Sequence, residues 1–228
     1  MNKRFDEKEI IRLLHEFDNN IDESCKIIIC GGAAIIAGFG IPRTTGDIDV
    51  LVVEPKNKSF FESVKRVAEN NDLKPSWLND GAKGYIDYLH PSYKKRMIPV
   101  KENFKKLIAY FISKPDLITM KICAWRESDK ADVVALGVKQ EDLKIIEENI
   151  EHLSEIDSSK ALKAHMVLSE LNLIPQRRLT ASKIGTLVEL AQFYVQQKSM
   201  DPTMAQIVSW NFQANKGTPI TEIAKNYE

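Results

Sequence analysis

The stretch CGGAAIIAGFGIPRTTGDIDV, residues 30–50, decides how the rest of the chain is read. It is entered through Lys26-Ile27-Ile28-Ile29-Cys30, a short β-branched apolar run that ends at Gly31-Gly32. That combination predicts a buried strand stopped by a turn. Ala33 to Ala37 suits a short helix opening at the glycines. Gly38 to Gly46, rich in turn formers and carrying Pro42, reads as a loop. Asp47 to Val53 (DIDVLVV) reads as a second strand, broken at Pro55.

Outward from this stretch, Ile10, Ile11, Leu13, Leu14 and Phe17 share one helical face, so an amphipathic helix precedes the first strand. Downstream, Phe60 to Asn70 reads as helix and Tyr85 to Leu89 (YIDYL) as a further strand. From Lys101 onward the apolar spacing is helical, over 101–112, 115–127, 129–137, 141–154, 159–172, 180–198 and 202–213. Strand signals thus gather in the first hundred residues. The expected class is α/β (α+β), with a core over 1–137 and an all-helical domain over 138–228.

Bulk composition narrows the chemistry. The chain has 228 residues, with 32 Lys+Arg against 32 Asp+Glu and therefore no formal net charge. A protein that clamps nucleic acid with its whole surface needs a cationic excess, because affinity scales with the phosphates neutralised. Cys25, Cys30 and Cys123 are odd in number and lack CxxC or Cys/His spacing, so they read as reduced thiols, with neither zinc site nor disulfide framework expected. The first residues, MNKRFDEKEIIRLLHEFD, have the acids a signal peptide lacks, and no uncharged apolar run reaches membrane-spanning length. A cytoplasmic protein without membrane contact is the expectation.

The chemistry sits in the quoted stretch. Residues two apart on a strand point the same way, so Asp47 and Asp49 project together while Ile48, Val50 and Val52 face the core. Two carboxylates on one face repel unless a cation lies between them, and hard oxygen donors of this kind suit Mg²⁺ carried with substrate phosphates. Gly31-Gly32 between strand and helix exposes backbone N–H groups to an anion, and Gly32 offers no side chain to obstruct it. Each part alone has a bland reading: a solvated strand edge, a tight turn, a surface arginine. The ordered set strand–GG–helix–loop–R-x-T-x-D-x-D-strand is more specific, and it is neither GxGxxG nor a P-loop. Together the parts describe a phosphoryl or nucleotidyl transfer site.

The segment GGAAIIAGFGIPRTTGDIDVLV resembles the signature of the DNA polymerase β-like nucleotidyltransferase superfamily, and is most similar to its bacterial branch of AbiEii-type toxins and DUF6036-like proteins. Gly31, Gly32, Arg43, Thr45, Asp47 and Asp49 match position by position. The resemblance covers about residues 25–135. It implies a mixed sheet flanked by helices with a helical domain attached, Mg²⁺ or Mn²⁺ as cofactor, and an NTP as substrate. Gly31, Gly32, Arg43 and Thr45 would then bind the nucleotide, and Asp47 and Asp49 the metal. It also implies a third carboxylate on a neighbouring strand. Asp87 in YIDYL is the candidate, with a helix cap or solvent-facing acid as the alternative. The branch further carries a helical Lys followed by an R-D-x-x-D-like element. Here Lys121 would steady the triphosphate, followed by Asp129 and Asp132, with Ser128 standing where Arg is common. A surface lysine and a helix-start acid are the bland readings of Lys121 and Asp129.

Lys94, Lys95, Arg96, Lys101, Lys105 and Lys106 form the one local basic excess, either a solvated face or a dock for an RNA acceptor such as a tRNA end. Tyr88 and Tyr93 could line a base pocket or pack in the core. The expected function is metal-dependent transfer of a nucleoside monophosphate from an NTP to RNA, protein or a small molecule, in some relatives within a toxin–antitoxin or phage-defence setting with an antitoxin partner. The alternative is a non-catalytic nucleotide-binding or partner-binding module that keeps the fold, with Ile184, Leu187, Val188, Leu190, Ala191 and Val195 as an apolar helical face toward a partner.

Overall fold

The computed structural model describes residues 3–171 and Leu173. The helices expected over 180–198 and 202–213 lie outside the described residues. In chain order the elements are α1 (Glu7–Asn20), β1 (Cys25–Ile29), α2 (Gly31–Ala33), β2 (Ile48–Glu54), α3 (Lys58–Asn70), β3 (Leu78–Asn79), β4 (Ile98–Pro99), β5 (Leu107–Phe111), α4 (Lys114–Ala124), α5 (Glu127–Leu136), α6 (Gln140–Ile156) and α7 (Ser158–Glu170). A π-helical turn, Ala34–Gly38, continues α2, and 3₁₀ segments occupy Lys83–Tyr88 and Pro91–Lys95.

The sheet is five-stranded and mixed, in the order β3-β2-β1-β5-β4. β1 pairs antiparallel with β2 and parallel with β5; β2 pairs parallel with β3, and β4 antiparallel with β5. β1 is central, which is why its isoleucines run without polar alternation: Ile27, Ile28 and Ile29 are all buried. β2 alternates as expected at its start, with Ile48 and Val50 buried and Asp47 and Asp49 half-exposed. The alternation then breaks. Ile28 pairs with Val52 and Ile29 with Val50, so Leu51 is an extra residue on β2. The bulge turns Leu51 inward and leaves Val52 half-buried, not facing the core as the spacing predicts.

Helix starts follow from local chemistry. Asp6, Asn57 and Ser113 place side-chain oxygens on the N–H groups of Glu9, Phe60 and Asp116, capping α1, α3 and α4. α1 packs on α3 through Phe17, whose ring meets Phe60 edge-on at 5.5 Å and Trp77 at 6.4 Å. The Trp77 indole N–H donates to the Val64 carbonyl at 2.9 Å, so this large ring is buried with its one polar atom satisfied.

Two of the expected elements are corrected. Tyr85–Leu89 is not a strand: Lys83–Tyr88 winds into a 3₁₀ helix. Residues 101–112 are not a helix. Leu107–Phe111 is strand β5, held beside β1, and its start is fixed from outside by Asp18 of α1, whose carboxylate accepts the backbone N–H groups of Lys105, Lys106 and Leu107 at 2.7–2.8 Å. The chain divides into two compact units, residues 1–149 and residues 150–228, the division falling within α6. The first holds the sheet and α1 to α5; α7 belongs to the second, where Ala161, Leu162, Ala164, Val167 and Leu168 are buried.

Candidate active site

The site forms where the end of β1 meets the start of β2. The Cys30 N–H donates to the Asp49 carbonyl at 2.9 Å, which brings the following glycine against the Asp49 side chain. Gly31 has φ +59°, in the left-handed region, and a Cβ there would stand 2.5 Å from Asp49 Oδ2. Glycine is required twice over, by the backbone and by the carboxylate. A Cβ on Gly32 would stand 2.8 Å from Thr45 Oγ1 and 3.9 Å from Arg43 Nη2. The Thr45 hydroxyl reaches Asp47 Oδ1 at 3.4 Å. Gly31, Gly32, Arg43, Thr45, Asp47 and Asp49 are thus brought against one another.

A second cluster adjoins it. Lys121 on α4 is buried, with its ammonium 3.0 Å from Asp129 Oδ1 and 2.7 Å from Asp132 Oδ2. Arg43 pairs with the same Asp132, so the loop between β1 and β2 is tied to α4 and α5. The short spacing from Lys121 to the acids is bridged by a sharp turn. Trp125 ends α4 in the left-handed conformation (φ 48°), and α5 folds back so that Asp129 and Asp132 reach Lys121. Asp129 also accepts the Arg126 backbone N–H at 3.0 Å. Lys121 is therefore no surface lysine, and Asp129 is more than a helix-start acid.

Electrostatics mark Asp49. Its carboxyl is raised above the ordinary aspartate value, first by burial and then by the neighbouring charge of Asp47; a hydrogen bond from Asn79 and the charges of Lys121 and Arg126 oppose this. Burial and the same two aspartates push the Cys30 thiol well up, although Lys121 opposes them, so it stays a protonated, inert neighbour. Asp47, Asp49, Asp129 and Asp132 outnumber Arg43, Lys121 and Arg126 by one charge. Two hard-oxygen carboxylates two residues apart, Asp47 and Asp49, with a negative charge to spare in the surrounding cluster, suit a divalent cation.

Asp87 is placed differently. It lies exposed on the 3₁₀ helix Lys83–Tyr88, so it is not presented by a neighbouring strand. Among the described residues no group of three His, Cys, Asp or Glu side chains is arranged to hold a metal ion. The residue on the strand beside Asp49 is Asn79, in register with it in β3. A two-residue strand is too short to show periodicity, which is why spacing does not reveal it. Arg126 is the other residue missed: it stands two positions before Ser128, where the resemblance looked for a base.

The basic run is thinned. Arg96 forks onto the fully buried Asp116, Nε to Oδ2 at 3.1 Å and Nη2 to Oδ1 at 2.7 Å, whereas Lys94, Lys95, Lys101, Lys105 and Lys106 are exposed. Tyr93 is buried and packs in the core; Tyr88 is half-buried with its ring 5.3 Å from that of Tyr85.

A family model described as a nucleotidyltransferase of unknown function (DUF6036) matches residues 8–170. The chain belongs to this family. Curated proteins and solved structures give no match. The DUF6036 match runs from the start of α1 to the end of α7, well beyond the 25–135 that carry the sequence signature, and it contains both clusters of the site. Among the described residues of this DUF6036 chain, no helix is long and apolar enough to cross a membrane.

Proposed function

We propose that the chain is a metal-dependent nucleotidyltransferase that moves a nucleoside monophosphate from an NTP to an acceptor hydroxyl or phosphate. The observation that carries this reading is the seating of Asp49 against Gly31, and of Thr45 and Arg43 against Gly32. In the transfer, the acceptor oxygen bonds to the α-phosphorus, the bond from that phosphorus to the β-phosphate oxygen breaks, and pyrophosphate leaves while the acceptor proton passes to solvent. Asp47 and Asp49 would hold Mg²⁺ or Mn²⁺, which when bound supplies charge neutralisation to the phosphates. Gly31 and Gly32 let Asp49 and Thr45 close onto the turn that would cradle the triphosphate. Arg43 and Lys121 offer it positive charge, and Asp129 and Asp132 hold those cations in place. Asp87, exposed on its 3₁₀ helix, is kept as a candidate for contact with the acceptor.

Labelled NTPs incubated with Mg²⁺ or Mn²⁺ and either tRNA or bacterial lysate test the proposal. Transfer of label, abolished by Asp47→Ala and Asp49→Ala, is the expected result. No transfer together with no binding of metal–NTP would end it. The AbiEii-type resemblance extends the reading to a toxin, possible to check by expression: growth slowed by the wild type and spared by Asp47→Ala is expected.

A second reading has its own observation. Lys121 and Arg43 are both engaged by internal carboxylates, as in a module that binds nucleotide without turning it over. Calorimetry separates the two: NTP binding without turnover, surviving Asp49→Asn, favours the module.

A further inference from the structure

The parallel pairing of β2 with β3 aligns Ile48 with Leu78 and Asp49 with Asn79. Paired residues on adjacent strands point to the same side of the sheet. Ile48 and Leu78 are accordingly both buried, and Asp49 and Asn79 share the half-exposed side. A side chain at position 79 therefore stands where the fold offers Asp49 a neighbour from the next strand, and this chain places an amide there in lieu of an acid.

The amide is oriented by its surroundings. Asn79 Oδ1 accepts the Gly81 backbone N–H at 2.9 Å, and Asn79 Nδ2 donates to the Ser76 carbonyl at 3.2 Å. With the oxygen committed to Gly81, the nitrogen is the end of the amide left to act on Asp49, its partner in register, whose carboxyl it holds down against burial and the charge of Asp47. An aspartate at 79 would add a third negative charge beside Asp47 and Asp49; an amide attracts the carboxylate beside it.

We propose that Asn79 is a positioning residue of the site, an amide locked by Ser76 and Gly81 that aims the Asp49 carboxylate at a divalent cation shared with Asp47. It touches neither substrate nor metal and acts through Asp49. The role rests on the reading of Asp47 and Asp49 as cation-binding carboxylates.

Gly81 supplies an unusual handle. A Cβ there would stand 2.8 Å from Asn79 Oδ1, the far end of a side chain that can turn aside. Gly81→Ala thus displaces the amide while leaving Asp49 and the sheet untouched, and Asn79→Leu removes the hydrogen bonds at similar volume. The test is calorimetric titration of Mn²⁺ alone into the full chain, with thermal melts confirming that each variant is folded. Partners of this outer kind are worth about 10- to 100-fold in metal affinity. Wild-type binding, weakened about tenfold or more in both variants, is expected. Wild-type binding that both folded variants retain unchanged overturns the role of Asn79 and leaves the nucleotidyl-transfer reading standing. Absence of Mn²⁺ binding by the wild type overturns that reading and this role with it. In the metal-free protein, the Asn79 side-chain NH₂ resonances should move on Asp49→Ala; if they stay put, the contact itself is refuted.

Discussion

Gly31 and Gly40 separate two things a glycine can do. Both sit at positive φ, +59° and +66°, so a side chain at either costs left-handed strain, about 1–2 kcal/mol. A Cβ at Gly40 meets nothing within 4 Å, whereas one at Gly31 runs into Asp49 Oδ2. Gly40→Ala should therefore lower the melting temperature by a few degrees and leave nucleotidyl transfer near wild type. Gly31→Ala should destabilise by at least as much and also lose transfer, because the carboxylate must move. Parallel melts and label-transfer assays check the pair; equal activity in both variants would detach Gly31 from the site. The same closeness explains the site's electrostatics. Asp49 is half-buried beside a like charge, an arrangement that disfavours its ionised form.

Between elements, two buried aspartates act as joints. Asp18 ties α1 to the start of β5. Burial would raise its carboxyl, but the N–H groups of Lys105, Lys106 and Leu107 outweigh that and hold it below the ordinary value of 3.8. A depressed acid contributes stability that is present above its unfolded value and lost as pH falls through the folded one. Asp18→Asn should thus cost about 1.5–3 kcal/mol near pH 7, with the gap to wild type closing as pH drops below about 3.8. Urea midpoints measured across that range read it directly. Asp116, fully buried on α4, joins Arg96 to α6 through the Asn149 side-chain amide, which donates to it at 2.9 Å. Asp116→Ala strands a mostly buried guanidinium and should cost about 3–5 kcal/mol by chemical denaturation. These joints also mark what was legible in sequence. Gly31 to Asp49 could be read because the residues lie close along the chain and their spacing alone sets which side each faces. β5 could not. Phe104, Leu107, Ile108 and Phe111 suit helical spacing as well as a strand, and what settles the matter is a parallel partner and an aspartate from α1, both remote in sequence. Asn79 and Arg126 were missed for the same reason: each acts on Asp49 across the fold.

At the scale of the whole molecule, zero net charge and a thinned basic run limit how an RNA acceptor could be held. Of the six basic residues between 94 and 106, Arg96 is neutralised by Asp116 and partly withdrawn from solvent, which leaves five exposed lysines. Single-stranded RNA binding loses affinity with salt at a log–log slope of about −0.7 for each phosphate neutralised. If those five lysines are the acceptor dock, the slope should be no steeper than about −3.5. Lys94→Ala and Lys95→Ala should each make it shallower by about 0.7, with stability near wild type. Arg96→Ala should do the reverse, destabilising the fold by leaving Asp116 without its guanidinium while the slope stays where it was. Filter binding of a short single-stranded RNA over a salt series decides among these outcomes. A slope steeper than five phosphates can explain would mean that a surface outside residues 94–106 takes part. A slope unmoved by Lys94→Ala and Lys95→Ala would remove that patch from the acceptor's path and turn attention to proteins or small molecules as the group that receives the nucleotide.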